Sequence, residues 1–183
     1  MKLILASASP RRAELLRDAG LTFNVVSADV DERSLTNESP EDLVSRLSLL
    51  KAQTVFAIYP EAIVLAADTV VVLDGEALGK PLDPADAIKM LGRLSGRSHE
   101  VITGFSLLQP GQAVLTQTVS TQVHFRVLRT TEIEAYVSSG IPMDKAGAYG
   151  IQSDTHCMVS KIEGSYSNVV GLPMAELLPH LEF

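Results

Sequence analysis

Tryptophan is absent from this 183-residue chain, aromatic residues make up only 5%, and there is a single cysteine, Cys157. One thiol excludes an internal disulfide, and nothing here has the spacing of a cysteine-based zinc site, so a reducing, cytoplasmic location fits. Basic residues are also in deficit. Fifteen Lys and Arg stand against 22 Asp and Glu, and the net charge of -7 opposes generic binding to a nucleic acid polymer or an anionic membrane. Any phosphate binding must be local. Long apolar runs are missing too: the most apolar stretch, Ile63 to Leu73, is cut by Asp68 and falls well short of the ~20 residues of a membrane helix. The apolar start Leu3-Ile4-Leu5-Ala6 gives way at once to Ser7, Ser9, Pro10, Arg11 and Arg12, too early for a secretory segment, so we expect a soluble protein without a signal peptide.

What is present is a large apolar fraction, 46%, carried by Val, Leu, Ile and Ala, enough for a real core and incompatible with intrinsic disorder. No repeat, low-complexity segment or Gly/Ser/Pro-rich linker divides the chain, so residues 1–183 are expected to form a single domain. Helix and strand signals alternate, which predicts an α/β fold with part of its sheet parallel.

Leu3 to Ala6 reads as a short buried strand, followed by an N-cap at Ser9, a first-turn Pro10 and a helix to Asp18 closed by Gly20. Phe23 to Ala28 reads as a second strand. Ser39 and Pro40 open a longer helix with Leu43, Leu47, Leu50 and Val55 as its apolar stripe, stopped by Pro60. Ile63 to Val72 is apolar on consecutive positions, the pattern of a central strand covered on both faces. Asp83 and Pro84 cap a third helix that closes near Gly96, and Val101 to Leu108 with Val114 to Leu128 suggest a long antiparallel hairpin around Gln109-Pro110-Gly111. Thr131 with Glu134 reads as a capping box for a helix through Val137. Asp144 to Gln152 and Gly164 to Pro173 are rich in small and polar residues without a period, and such loops attract a functional reading. Met174 to Leu181 reads as a last helix, weakened by Pro179.

Several segments can carry chemistry. Ser7-Ala8-Ser9-Pro10-Arg11-Arg12 sits at a strand end and a helix mouth, where unpaired N–H groups and two guanidiniums suit a polyphosphate; a capped helix with exposed arginines is the plainer alternative, against which stand two arginines where the helix dipole prefers acids. Asp68 lies inside an apolar run, and burying a carboxylate costs several kcal/mol unless it is paired, hydrogen-bonded or metal-bound. A strand-end Asp capping a turn is the plainer alternative. Gly75 to Pro81 is not a phosphate loop, because only three residues separate its glycines and Pro81 follows Lys80; that lysine is either a point charge for a phosphate or a solvated turn residue. Asp29, Asp31 and Glu32 offer oxygen ligands for a hydrated Mg or Mn, or simply a solvated acidic loop. Lys51 carries no signal alone. His99, His124, His156 and His180 lack zincin spacing, a His156–Cys157 nucleophilic pair is disfavoured because neighbours in an extended chain point oppositely, and no Gly-x-Ser-x-Gly elbow supports Ser9 or Ser167. Together, cations, a buried acid and an acidic loop suit metal-assisted attack of water on a phosphoanhydride.

From end to end, the chain resembles the Maf family of nucleoside triphosphate pyrophosphatases. The resemblance is carried by Leu5 to Arg12, Lys51-Ala52, Ala67 to Val71, Gly79-Lys80-Pro81, Leu94 to His99, Asp144 to Gln152 and Gly164 to Pro173. It implies an elongated mixed β-sheet with flanking helices, two lobes around a central cleft as in inosine triphosphatases, and hydrolysis of a nucleoside triphosphate to monophosphate and pyrophosphate with a divalent cation (Mg, Mn or Co). Asp68 matches the family's proton acceptor; Ser7, Arg12, Lys51 and Lys80 match phosphate-binding or catalytic positions; Glu32, with Asp68, matches the metal position. Arg11, Thr69 and Gln152 resemble the subgroup acting on dTTP and UTP, and a glutamine amide, both donor and acceptor, suits the imide edge of thymine or uracil. Family members are often dimers, so a homodimer is the assembly the resemblance allows. Two segments depart from the pattern: Ser48 stands where Ala is usual, and Ser153 to Cys157 replaces a Gly-rich stretch. The rival expectations are a nucleotide-binding regulator of cell division or septum formation, with incidental hydrolysis, and an NTPase that releases orthophosphate.

Overall fold

The computed structural model describes residues 2–152 and 158–181. The segment Ser153 to Cys157, with the expectations placed on His156 and Cys157, lies outside the described residues. The described chain divides into two compact units. The first holds the residues up to Thr69, Thr103–Val119 and those from Gly171 onward; the second holds Val70–Ile102 and Ser120–Val170.

The expected mixed sheet is present, with seven strands among the described residues. In chain order the elements are β1 (Leu3–Leu5), α1 (Pro10–Asp18), β2 (Phe23–Val25), α2 (Pro40–Phe56), β3 (Ile63–Leu73), β4 (Glu76–Leu78), α3 (Pro84–Leu94), β5 (Ser98–Leu108), β6 (Leu115–Phe125), α4 (Thr130–Ser138), β7 (Val159–Glu163), α5 (Tyr166–Val170) and α6 (Met174–Leu177). The strand order is β2-β1-β3-β5-β6-β7, and β4 folds back on β3. β1 runs parallel to both β2 and β3, aligning Leu3 with Phe23 and Ile63. The β3–β4 and β6–β7 pairs are antiparallel, the latter with an irregularity between His124 and Phe125.

In the first unit, β3 explains its own composition. Leu3, Leu5, Ile63, Leu65 and Ala67 pack with Ala13 and Leu16 of α1, whereas Ile4, Ala6, Val64 and Ala66 pack with Ala52 and Val55 of α2. Side chains alternate along a strand, so a strand with a helix on each face must be apolar at every position. The odd-numbered residues of β1 and β3 face α1 and the even-numbered face α2. α2 approaches β5 so closely that a Cβ on Gly104 would lie 2.6 Å from the Val44 backbone carbonyl. Ser48, one turn on, is buried with its hydroxyl satisfied by Ser45 O at 3.0 Å and Ser106 Oγ at 3.0 Å. The core of the second unit joins Leu91 and Leu94 of α3, Ile133 and Val137 of α4, Val123 and Phe125 of β6, and Tyr149.

Boundaries depart from the sequence expectations for identifiable reasons. The second strand ends at Val25: after Val26 N–H donates to Leu5 O at 3.0 Å, no further strand bond forms among the described residues. α4 begins two residues earlier than the Thr131 box predicts, because Glu132 accepts from the Arg129 backbone N–H at 2.8 Å and makes Arg129 the N-cap. Ser9 is the N-cap of α1, but its side chain makes no cap bond. Asp83 and Ser39 do cap as expected, accepting from Asp86 N–H at 2.8 Å and Asp42 N–H at 3.1 Å. Two strands, β4 and β7, are absent from the sequence reading: each is short and half-exposed, so neither shows an apolar period. The Gly164 to Pro173 segment contains α5, and Asn168 within it is fully buried, donating to Val101 O and Thr121 Oγ1 at 3.0 Å each.

Candidate active site

Two successive residues of β3 organise the site in the first unit. Thr69, on the α1 face, meets Arg12; Asp68, on the α2 face, meets Lys51. Strand alternation and the two flanking helices account for both encounters.

Arg12 is held on three sides. Its Nε donates to Gly171 O at 2.8 Å, Nη1 to Ser7 Oγ at 3.1 Å and Nη2 to Thr69 Oγ1 at 3.0 Å. Ser7 also accepts from Ser9 N–H at 3.2 Å, which ties the β1–α1 turn to the guanidinium. Burial pulls the Arg12 pKa below its ordinary value, while the Asp68 and Glu32 carboxylates raise it and Arg11 lowers it. A guanidinium stays charged throughout, so the result is a fixed, partly desolvated cation. Arg11, half-buried beside it, adds a second positive charge.

Lys51, on α2, is 10% exposed and places Nζ 2.6 Å from Asp68 Oδ1 and 2.7 Å from Glu32 Oε1. Asp68, 15% exposed, thereby has the partner that a carboxylate in an apolar strand requires. Glu32 arrives on the 26–38 loop, which is fastened to α2 by Arg46: Nε and Nη2 donate to Glu38 at 2.5 and 2.8 Å, and Nη2 donates to Arg33 O at 3.1 Å. The hydrogen bond from Arg46 holds the Glu38 carboxyl down to about 2. The rest of the acidic loop divides its labour: Asp31 is engaged by Arg33, and Glu32 is the member that reaches Lys51.

Lys80 and Gln152 belong to the second unit, where both are exposed. Their segments are tied together there, since Gly147 N–H donates to Gly79 O at 3.0 Å. Gly147 has φ +66°, and a Cβ on it would meet the Val71 side chain at 2.8 Å, so glycine is required at this turn. Three residues before Gln152, Tyr149 is buried and its hydroxyl lies 2.7 Å from His99 Nε2. The two rings and Phe125 meet edge to face, with centroids 4.8 to 5.4 Å apart. Desolvation in this apolar setting lowers the His99 pKa to about 4 and raises that of Tyr149.

A family model described as Maf-like protein matches residues 2–182. This chain belongs to the Maf family. It is 53% identical over 180 residues to a dTTP/UTP pyrophosphatase of Geotalea uraniireducens, covering 98% of this chain and 93% of that protein. A dTTP/UTP pyrophosphatase of Symbiobacterium thermophilum is 54% identical over 173 residues, covering 94% and 89%. One from Geobacter metallireducens is 49% identical over 181 residues, covering 98% and 94%.

The donor set of this Maf protein suits a hard divalent cation. Asp68 and Glu32 direct carboxylate oxygens at one point, the position of Lys51 Nζ, and Mg²⁺ sites are commonly built from one or two carboxylates completed by water and substrate phosphates. No cluster of three or more acidic, His or Cys ligands occurs among the described residues, so such a cation would depend on the substrate for part of its shell. Sequence reasoning did not single out Thr103, and it met Gly171 and Tyr149 only as members of longer blocks. A strand threonine carries no spacing signal, and the contacts of the Gly171 carbonyl and the Tyr149 ring are visible only in space.

Proposed function

We infer that this Maf protein, as one catalytic domain spanning the chain, hydrolyses nucleoside triphosphates, dTTP and UTP foremost, to nucleoside monophosphate and pyrophosphate. The observation that carries the reading is the Lys51 ammonium held between Asp68 and Glu32, beside the three-sided brace on Arg12. A water oxygen attacks the α-phosphorus in line, the bond from the α-phosphorus to the bridging oxygen breaks, pyrophosphate leaves with that oxygen, and Asp68 takes the proton of the water. Arg12, Lys51 and Lys80 neutralise phosphate charge, which is where most of the work of phosphoryl transfer lies. Ser7 contributes a hydroxyl at the helix mouth. Arg11, Thr69 and Gln152 select the pyrimidine, the Gln152 amide offering both a donor and an acceptor to its imide edge. Asp68 and Glu32 are the residues that would hold a divalent cation, Mg, Mn or Co, which supplies further positive charge at the phosphates when bound.

The substrate in this reading is a free nucleotide in the cytoplasm rather than a nucleic acid polymer or a membrane lipid. The net charge of -7 favours that choice, and no helix among the described residues is long and apolar enough to cross a membrane. A homodimer is the assembly we propose, as is common in the family.

The test is product analysis over dTTP, UTP, CTP, dATP and 7-methyl-GTP with Mg or Mn. Pyrophosphate from dTTP and UTP is expected, and orthophosphate as first product would refute the reading. Asp68→Asn should lower pyrophosphate release by about 10²-fold or more while nucleotide binding persists. A regulator of cell division would instead keep its cellular effect in that variant.

A further inference from the structure

Thr103 lies on β5, fully buried and outside every motif that marks the family, yet its hydroxyl is one step from the phosphate grip. Thr103 Oγ1 lies 2.9 Å from Thr69 Oγ1, and that same oxygen accepts from Arg12 Nη2 at 3.0 Å. A threonine hydroxyl has one hydrogen and two lone pairs. With one lone pair committed to Arg12, the bond to Thr103 fixes the Thr69 hydroxyl whichever of the two threonines donates. Thr69 is β-branched, so its χ1 has few alternatives, and Thr103 selects among them the one that faces the guanidinium.

The other anchors of Arg12 are set by the backbone and by Ser7. Gly171, at φ +128°, turns its carbonyl onto Nε; a Cβ there would lie 3.4 Å from that nitrogen, an ordinary contact, so it is the left-handed backbone rather than space that asks for glycine. The Thr69 anchor is the one that depends on a second side chain. We propose that Thr103 is a positioning residue that acts through Thr69 to aim the Arg12 guanidinium at the triphosphate. This rests on the function proposed above. Thr69 also stands among the residues proposed to select the pyrimidine, but Thr103 reaches it through the hydroxyl that Arg12 uses, so the effect falls on the phosphate grip and on binding, and is equal for dTTP and UTP.

The experiment measures affinity for the non-hydrolysable α,β-imido analogue of dTTP, and KM and kcat for dTTP and UTP, on the wild type, Thr103→Val and Thr103→Ser. The valine variant should raise Kd and both KM values by about fivefold or more, the usual weight of one such hydrogen bond, with kcat changed less than about twofold. Serine, which keeps the hydroxyl, should restore them. A purely structural defect reduces the folded fraction and lowers apparent kcat at constant KM, so that pattern overturns the proposal. So does an unchanged Kd, a rise that serine does not restore, or a shift in the dTTP-to-UTP ratio, which would assign the hydroxyl pair to the base. Thr103→Ala, which only removes atoms, takes the place of valine if that variant does not fold, with the same outcomes. If the wild type binds the analogue but releases no pyrophosphate, the hydrolase reading fails while the Kd comparison still decides the role of Thr103.

Discussion

Asp68 and Thr69 are consecutive in β3, yet they serve opposite faces of the sheet: Asp68 bonds Lys51 of α2 and Thr69 bonds Arg12 of α1. The period of two that makes this strand uniformly apolar also divides its polar pair between two helices. Asp68 and the Thr69 anchor of Arg12 are thereby neighbours in the chain while each is supported by its own hydrophobic layer.

Glu32 is the half-exposed member of the acid pair, 52% accessible, and its replacement should touch the cation more than the fold. We expect Glu32→Gln to raise the Mg or Mn concentration for half-maximal pyrophosphate release by about tenfold or more, with little change in melting temperature. Titrating the metal on both proteins checks it. An unchanged midpoint would remove Glu32 from the cation site.

Gln152 is exposed, so its effects should be free of core disruption. Gln152→Glu loses the amide donor and should shift the preference among dTTP, UTP and CTP more than it lowers turnover on the best substrate. Equal loss on every base, read from kcat/KM across the panel, would refute a base-reading role.

His99 is buried against Tyr149 and Phe125, and its Nδ1 has no hydrogen-bond partner among the described residues. Its pKa falls from an ordinary 6.5 to about 4, chiefly by desolvation. Between those values the unfolded chain binds a proton that the folded one does not, so stability is full above about pH 6.5 and declines as pH drops toward 4. Unfolding free energies from urea titrations at about pH 7.5 and pH 5 should differ by about 2 kcal/mol on this account. His99→Gln should flatten that difference, and a variant with the wild-type pH profile would contradict the assignment.

Gly104 lets β5 approach α2 closely. The Cβ of Gly104→Ala would lie 2.6 Å from backbone atoms of Val44, which have no side-chain freedom to yield, so the helix must shift. A destabilisation of about 1–3 kcal/mol follows from overpacking of this kind. Because Lys51 rides on the same helix, turnover should fall with stability; thermal denaturation beside a pyrophosphate assay tests both, and an intact melting temperature would show that α2 yields without cost.

Much of this was legible in the chain. Apolar consecutive positions at Ile63 to Val72 signal a strand buried on both faces, Pro10, Pro40 and Pro84 mark helix starts, and the costly Asp68 points to the site. The harder parts were those without a period or with competing local signals. β7 hides in a half-exposed stretch, the start of α4 turned on Glu132 rather than the Thr131 and Glu134 pair, and Ser9 caps α1 without a side-chain bond, its own N–H donating to Ser7.

Sequence alone determined the elements, the acidic balance and the residue types that can meet a polyphosphate, because propensity, capping and alternation are local properties. Tertiary structure decided which of those residues meet. Lys51 gained its role only when α2 carried it to Asp68 and the 26–38 loop delivered Glu32. Arg12 gained its anchor from a carbonyl 159 positions away. Such pairings depend on how layers pack, and packing is set by the whole chain at once rather than by any stretch of it.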